Sequence, residues 1–176
     1  NGGCDVLIPT VNTKSYSEAM QKFHPNLIAG VPTLFKMLIE SEYMKDADVS
    51  YLMGMFSGGD SIPVPLKREV DKWLKEHGAS IQVREGYGLT ETSPLLGYSM
   101  NRWRAVGSFG YPVYNVKLKL HNVDPQTGEG EVVAKGPNVM LGYYKDSVRT
   151  KSVFTEDGWF RTSDIAVQDE KGRFYI

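Results

Sequence analysis

The sequence predicts an α/β protein, a parallel sheet with flanking helices followed by a small antiparallel, barrel-like β subdomain. Three observations predict it. Through the first hundred residues, short apolar runs alternate with amphipathic segments, a grammar that requires crossover connections between parallel strands. Beyond about residue 100 helical periodicity fades and a period of two replaces it. Turn sequences rich in Gly, Asp and Pro then separate the short strands. The expected division is therefore 1–100 for the α/β subdomain and 101–176 for the β subdomain, each partial.

Taken in order, strands are expected at 5–8, 26–30, 52–56 and 81–85, each short and apolar enough to lie in a sheet covered on both faces. Cys4, beside the first, reads as a small core residue. A first helix should follow Ser15, whose hydroxyl pairs with Glu18 in a capping box, and should stop before Pro25, with Ala19, Met20 and Phe23 on its inner face. A second begins near Pro32 and carries Leu34, Phe35, Leu38 and Ile39 at helical spacing. A third runs from about Pro65 to His77 with Leu66, Val70, Trp73 and Leu74 on one face, and Gly78 sits where a left-handed terminal residue belongs. In the second half, Val-Lys-Leu-Lys-Leu at 116–120 alternates as a half-exposed strand. The turn at 124–128 feeds a strand at 131–134, and the turn at 169–172 joins 165–167 to 174–176.

Composition narrows the function classes. At 41% hydrophobic and 23% charged residues the chain belongs with folded globular proteins rather than disordered ones. Twenty basic and 21 acidic residues give a net charge of −1, so no bulk electrostatic attraction to nucleic acid or an anionic membrane exists. One cysteine precludes an internal disulfide and a cysteine metal cluster, and it fits a reducing, cytoplasmic setting. No apolar run approaches the ~18 residues of a membrane span, which leaves peripheral membrane association as the most intimate contact expected. Strand-like runs close to both ends read as a piece of something larger.

Two glycine-containing turns draw the chemistry to one place. Ser57-Gly58-Gly59-Asp60 follows the third expected strand and Gly86-Tyr87-Gly88 the fourth, and ligands of open α/β sheets bind at such carboxyl edges. Taken alone, either reads more readily as a conformational turn. The second continues as Leu89-Thr90-Glu91-Thr92-Ser93, which mixes hydroxyl donors for phosphate with one carboxylate. A carboxylate beside phosphate implies a bridging divalent cation such as Mg2+, and a solvated loop with a surface glutamate is the alternative. A dinucleotide fingerprint fails, because its third glycine would fall at Glu91.

These residues carry a family resemblance. Gly86-Tyr87-Gly88-Leu89-Thr90-Glu91-Thr92 resembles the signature of the adenylate-forming (AMP-binding) superfamily of acyl-CoA synthetases, luciferases and adenylation domains. Ser57-Gly58-Gly59-Asp60 resembles its adenine-side loop, residues 128–144 its Gly-Glu stretch ending in Gly-Tyr, and Gly158-Trp159-Phe160-Arg161-Thr162-Ser163-Asp164 its ribose-binding segment. The four motifs stand in family order and cover essentially the whole chain.

The resemblance implies that Gly58, Gly59 and Asp60, with Glu85, Gly86, Tyr87 and Gly88, enclose adenine, the Tyr87 ring stacking on it. It implies that Thr90 contacts the α-phosphate, that Glu91 holds Mg2+, and that Asp164 accepts from both ribose hydroxyls. The implied reaction is attack of a carboxylate on the α-phosphorus of ATP, then displacement of AMP by the thiol of coenzyme A. Positioning and charge stabilisation dominate such a step, consistent with the lack of any nucleophilic triad. His24, His77 and His121 read as structural or exposed. Leu34 and Phe35 are candidates for the wall of an apolar acyl pocket, and a medium- or long-chain fatty acid is the expected substrate. Rival readings are an aryl-acid or carrier-protein-loading enzyme and a non-catalytic nucleotide-binding module.

One departure stands out: Ser163 occupies a position where the family usually has glycine, and a positive φ there would strain serine. The resemblance puts the phosphate loop before residue 1, and the catalytic lysine and a further arginine after residue 176. The isolated chain is accordingly expected to be inactive.

Overall fold

The structure, a computed structural model, describes residues 2–99 and 105–176. It divides into two compact units, Asn1–Arg84 and Glu85–Ile176. The expected division at 100 lies outside the described residues, and the change of sequence grammar near it falls inside the second unit.

In the first unit, helix α1 (Thr13–Phe23) starts from Asn12, whose side chain accepts from the Ser15 N–H while the Ser15 hydroxyl accepts from Asn12 N–H. The cap is thus three residues earlier than expected, and Ser15 is the reciprocal partner rather than the first cap; Glu18 instead lies 3.9 Å from Lys14. Its inner face is Ser17 and Met20, whereas Phe23 is exposed because it sits in the last turn before His24, which takes a left-handed φ of 46°. Strand β1 (Leu27–Gly30) pairs in parallel with β2 (Gly54–Ser57), in the register Leu27↔Gly54 through Gly30↔Ser57. Between them runs α2 (Pro32–Ile39), opened by proline in its first turn, and after β2 comes α3 (Val64–Glu76), closed by Gly78 at φ 89°. The helices meet the strands through one core that includes Met20, Phe35, Leu38, Met55, Val70 and Leu74. Each such side chain contributes roughly 1.5–3 kcal/mol of burial.

Two strand expectations fail in this unit. Residues 5–8 form no strand: Leu7 is 86% exposed and Cys4 is exposed rather than in the core, since no ladder among the described residues engages that run. Residues 81–83 also lie outside a strand. Buried Val83 has its N–H bonded to Asp71 Oδ1 and its carbonyl to the Lys67 ammonium, so side chains of α3 supply what a neighbouring strand would otherwise supply. Strand β3 (Arg84–Tyr87) begins only after that clamp.

The second unit is antiparallel. Two-residue strands β4 (Gly97–Tyr98) and β5 (Tyr111–Pro112) extend from β3, with Tyr87↔Gly97 and Tyr98↔Tyr111 opposed. A curled sheet follows, in the order β6 (Lys117–His121), β7 (Gly130–Lys135), β8 (Phe160–Gln168), β9 (Phe174–Tyr175). The short helix α4 (Ser147–Ser152), capped by Asp146, precedes β8. The two expected turns form as read. The Asp124 carbonyl accepts from Gly128 N–H with Gly128 at φ 74°, and Gly172 is at φ 80° between β8 and β9.

Candidate nucleotide site

In the first unit, Gly58 follows directly on β2 and its N–H bonds to the Gly30 carbonyl at 3.0 Å. Gly59 takes φ 79°, a conformation that costs glycine nothing, and exposed Asp60 accepts from Ser61 N–H. The Ser57 hydroxyl, in a residue only 2% exposed, has no hydrogen-bond partner among the described residues.

The remaining candidates all lie in the second unit. Gly86 and Tyr87 are strand residues of β3, not a turn after a strand, because β4 pairs with them. The turn proper begins at Gly88, where an added Cβ would stand 1.5 Å from the Pro94 carbonyl oxygen, so no other residue fits without displacing backbone. Residues 88–95 fold back through buried Thr92. Its hydroxyl accepts from Leu89 N–H and reaches the Leu89 and Pro94 carbonyls at 2.9 and 3.1 Å. The Asn138 amide then donates to the Thr92 and Leu95 carbonyls, both at 2.8 Å. A short 3₁₀ turn, Thr90–Thr92, leaves Thr90 exposed and Glu91 half-buried.

Glu91 is held at both ends. Its carbonyl accepts from Met140 N–H, and its Oε1 accepts from the Tyr143 hydroxyl at 2.9 Å. That bond raises the Tyr143 pKa above its ordinary value, and the Arg149 guanidinium lies 4.1 Å over the same ring. No group of three or more metal-ligating side chains occurs among the described residues. A single carboxylate still fits a Mg2+ ion whose other ligands are substrate phosphates and waters, the usual arrangement in nucleotide sites.

Tyr87 and Asp164, 77 positions apart, are joined by a hydrogen bond: the Tyr87 hydroxyl donates to Asp164 Oδ2 at 2.7 Å. Burial, with a further push from the Asp164 carboxylate, raises the Tyr87 pKa far above its usual value, so the hydroxyl stays a donor across the physiological range. The Tyr87 ring stacks on Phe109 with centroids 4.4 Å apart, and Phe109 in turn stacks on Phe174.

Asp164 sits in an irregularity of β8. Between the pairs Glu131↔Ile165 and Val133↔Arg161, β7 supplies one residue and β8 supplies Thr162, Ser163 and Asp164. Ser163 takes φ 65°, the left-handed conformation that the family's glycine would adopt at no cost. The Thr162 hydroxyl closes the bulge by donating to the Val132 carbonyl and accepting from Asp164 N–H.

Sequence reasoning assigned no role to Thr92, Glu131, Asn138 or Tyr143. Asn138 and Tyr143 belong to the 128–144 stretch, which was matched as a motif without residue roles. Glu131 carried a readable signal, since a glutamate heading a buried Val-Val-Ala strand needs a partner. Phe35, a candidate pocket wall, is fully buried in the first unit's core, with Leu34 packed against that core. His77 lies between the Trp73 and Lys45 carbonyls at a helix end, a structural position.

No helix among the described residues is long and apolar enough to cross a membrane. The chain is 34% identical over 183 residues to probable 4-coumarate–CoA ligase 2 of Dictyostelium discoideum, covering 99% of this chain and 32% of that protein. It is 32% identical to the long-chain-fatty-acid–CoA ligase of Bacillus subtilis (strain 168), covering 97% and 30%. Among solved structures, ATP-bound MatB from Rhodopseudomonas palustris superposes with a TM-score of 0.79 at 28% identity over 97% of this chain and 33% of its own. The chain thus spans about a third of the length of the relatives it matches, and the fold is that of acyl-CoA synthetases. The model of the AMP-binding enzyme family matches residues 1–144, and the chain belongs to that family.

Proposed function

We propose that this chain is the central part of an AMP-forming acid–thiol ligase that activates a carboxylic acid with ATP and transfers the acyl group to coenzyme A. The observation that carries the reading is the 2.7 Å bond between Tyr87 and Asp164. The side chain assigned to adenine and the side chain assigned to ribose lie within one hydrogen bond, about the separation a nucleoside demands. Glu85, Gly86 and Gly88 supply backbone beside Tyr87 within the same unit. Asp164 keeps Oδ1 and the second lone pair of Oδ2 for ribose hydroxyls, an acceptor task suited to an ionised carboxylate. Thr90, exposed at the head of its turn, donates to the α-phosphate. Glu91 supplies one oxygen to Mg2+, which offsets triphosphate charge, and Tyr143 fixes the direction of that carboxylate.

A medium- or long-chain fatty acid is the proposed substrate, supported by the apolar residues 94–96 beyond the signature loop and by the similarity to a relative named for long-chain fatty acids. The test is acid-dependent ATP–pyrophosphate exchange by the full protein that bears this chain, run over fatty, aryl and amino acids. Exchange driven at least tenfold better by fatty acids is expected. Preference for a hydroxycinnamate would overturn the substrate, and no exchange with any acid would overturn the ligase reading itself.

A further inference from the structure

Glu131 is 8% exposed near the start of β7. Among the described residues, the hydrogen bonds of its carboxylate go to β8. Oε1 accepts the Ser163 N–H at 3.0 Å, and Oε2 accepts both Nε and an Nη of Arg161, at 2.9 and 2.8 Å. Arg161 and Ser163 flank Thr162, so one carboxylate grips β8 on both sides of the residue that closes the bulge. The grip falls where the backbone most needs it, because Ser163 at φ 65° is a conformation a non-glycine residue holds only when its surroundings impose it. Asp164 is the next residue, and the direction of its side chain follows from the bulge. We propose that Glu131 is a positioning residue: by bridging Arg161 and the Ser163 N–H it holds the strained bulge that aims Asp164. The proposal rests on the reading of Asp164 as the ribose acceptor.

An ordinary strand at this point would need no such bridge. With glycine at 163 the left-handed turn would form unaided, and with serine there the ion pair between the buried Glu131 and the more exposed Arg161 takes over the task. Charge-assisted bonds of this kind are the stronger sort, worth roughly twice a neutral one.

The experiment measures calorimetric Kd values for ATP and for 2′,3′-dideoxy-ATP on the full protein, with Asp164→Ala as reference. Glu131→Asp keeps the charge that Arg161 needs but is one methylene too short to reach Ser163 as well. Glu131→Gln keeps the shape and loses the charge. Each variant whose unfolding transition stays cooperative is expected to bind ATP about tenfold more weakly, with dideoxy-ATP unchanged. Adding Ser163→Gly to either should restore part of the preference for ATP, an effect that simple loss of stability does not produce. If Asp164→Ala abolishes the preference while both Glu131 variants retain it, the positioning role is overturned and the nucleotide reading stands. If Asp164→Ala itself leaves the preference intact, both fall together.

Discussion

The helices of the first unit and the functional segments of the second are fixed by different forces. Residues up to 84 close around a continuous apolar core in which Phe35, Leu38, Met44 and Leu74 are wholly buried, and among the described residues there Lys67 is the one buried charged side chain. The second unit also buries apolar side chains, among them Leu96, Val132, Val133, Phe160 and Phe174, but its functional segments are fixed by polar side chains bonded to backbone. Thr92 and Asn138 fold the loop after Gly88, Thr162 and Glu131 hold the bulge before Asp164, and Asp169 closes the β8–β9 turn. The difference teaches where binding geometry comes from: apolar packing is non-directional and gives a scaffold, whereas hydrogen bonds have direction and place individual atoms.

The sharpest way to break the comparison is in the core. Phe35→Ala is expected to cost about 3–5 kcal/mol, since it removes a fully buried ring and leaves a cavity. Denaturant unfolding followed by circular dichroism reads it directly. A loss below about 1 kcal/mol would mean that the first unit does not depend on that core.

The polar counterpart is Thr92→Val, which preserves shape and removes a hydroxyl engaged with Leu89 and Pro94. A buried carbonyl and N–H left unpaired cost about 1–3 kcal/mol, so the effect should be smaller than that of Phe35→Ala. It should also weaken nucleotide binding more than its stability cost accounts for. If nucleotide affinity is unchanged in a folded Thr92→Val protein, the loop is not held by this side chain.

The same contrast explains what could be read in advance. Helical periodicity announced α2 and α3 almost to the residue, because a stripe such as Leu34, Phe35, Leu38 and Ile39 is the direct imprint of a core. It failed at residues 5–8, where an apolar run lacks a partner strand among the described residues, and at 81–83, where Lys67 and Asp71 substitute for one. Periodicity is local, and strand pairing is not. The nucleotide motifs were legible as strings, and the positive φ expected at Ser163 is present, since backbone demand is written into the usual glycine. Glu131, Asn138 and Tyr143 escaped because their meaning lies in partners 30 to 52 residues away.

The smallest expected effect lies in the β8–β9 turn and is a matter of pH. Desolvation pushes the Asp169 carboxyl up, but the Arg173 N–H and guanidinium and the Tyr175 hydroxyl outweigh it and bring the carboxyl to about 2, below the ordinary 3.8. A carboxylate whose folded pKa is depressed contributes stability that is present above the unfolded value and is lost as pH falls through the folded one. The window therefore runs from about pH 4 to about pH 2. Exposure screens the contribution, so it should appear as a modest slope in Tm rather than as collapse. Asp169→Asn keeps the turn's size and the oxygen that serves the Lys171 and Arg173 N–H groups while removing the charge and the Oδ2 acceptor, so the variant's Tm should fall less steeply across that window, and wild type and variant should converge as both approach pH 2. Parallel Tm curves from pH 5 to pH 2 would show that Asp169 is no better bonded in the folded chain than in the unfolded one. In that case the polar framework of the second unit would stop at the bulge and not reach its last turn.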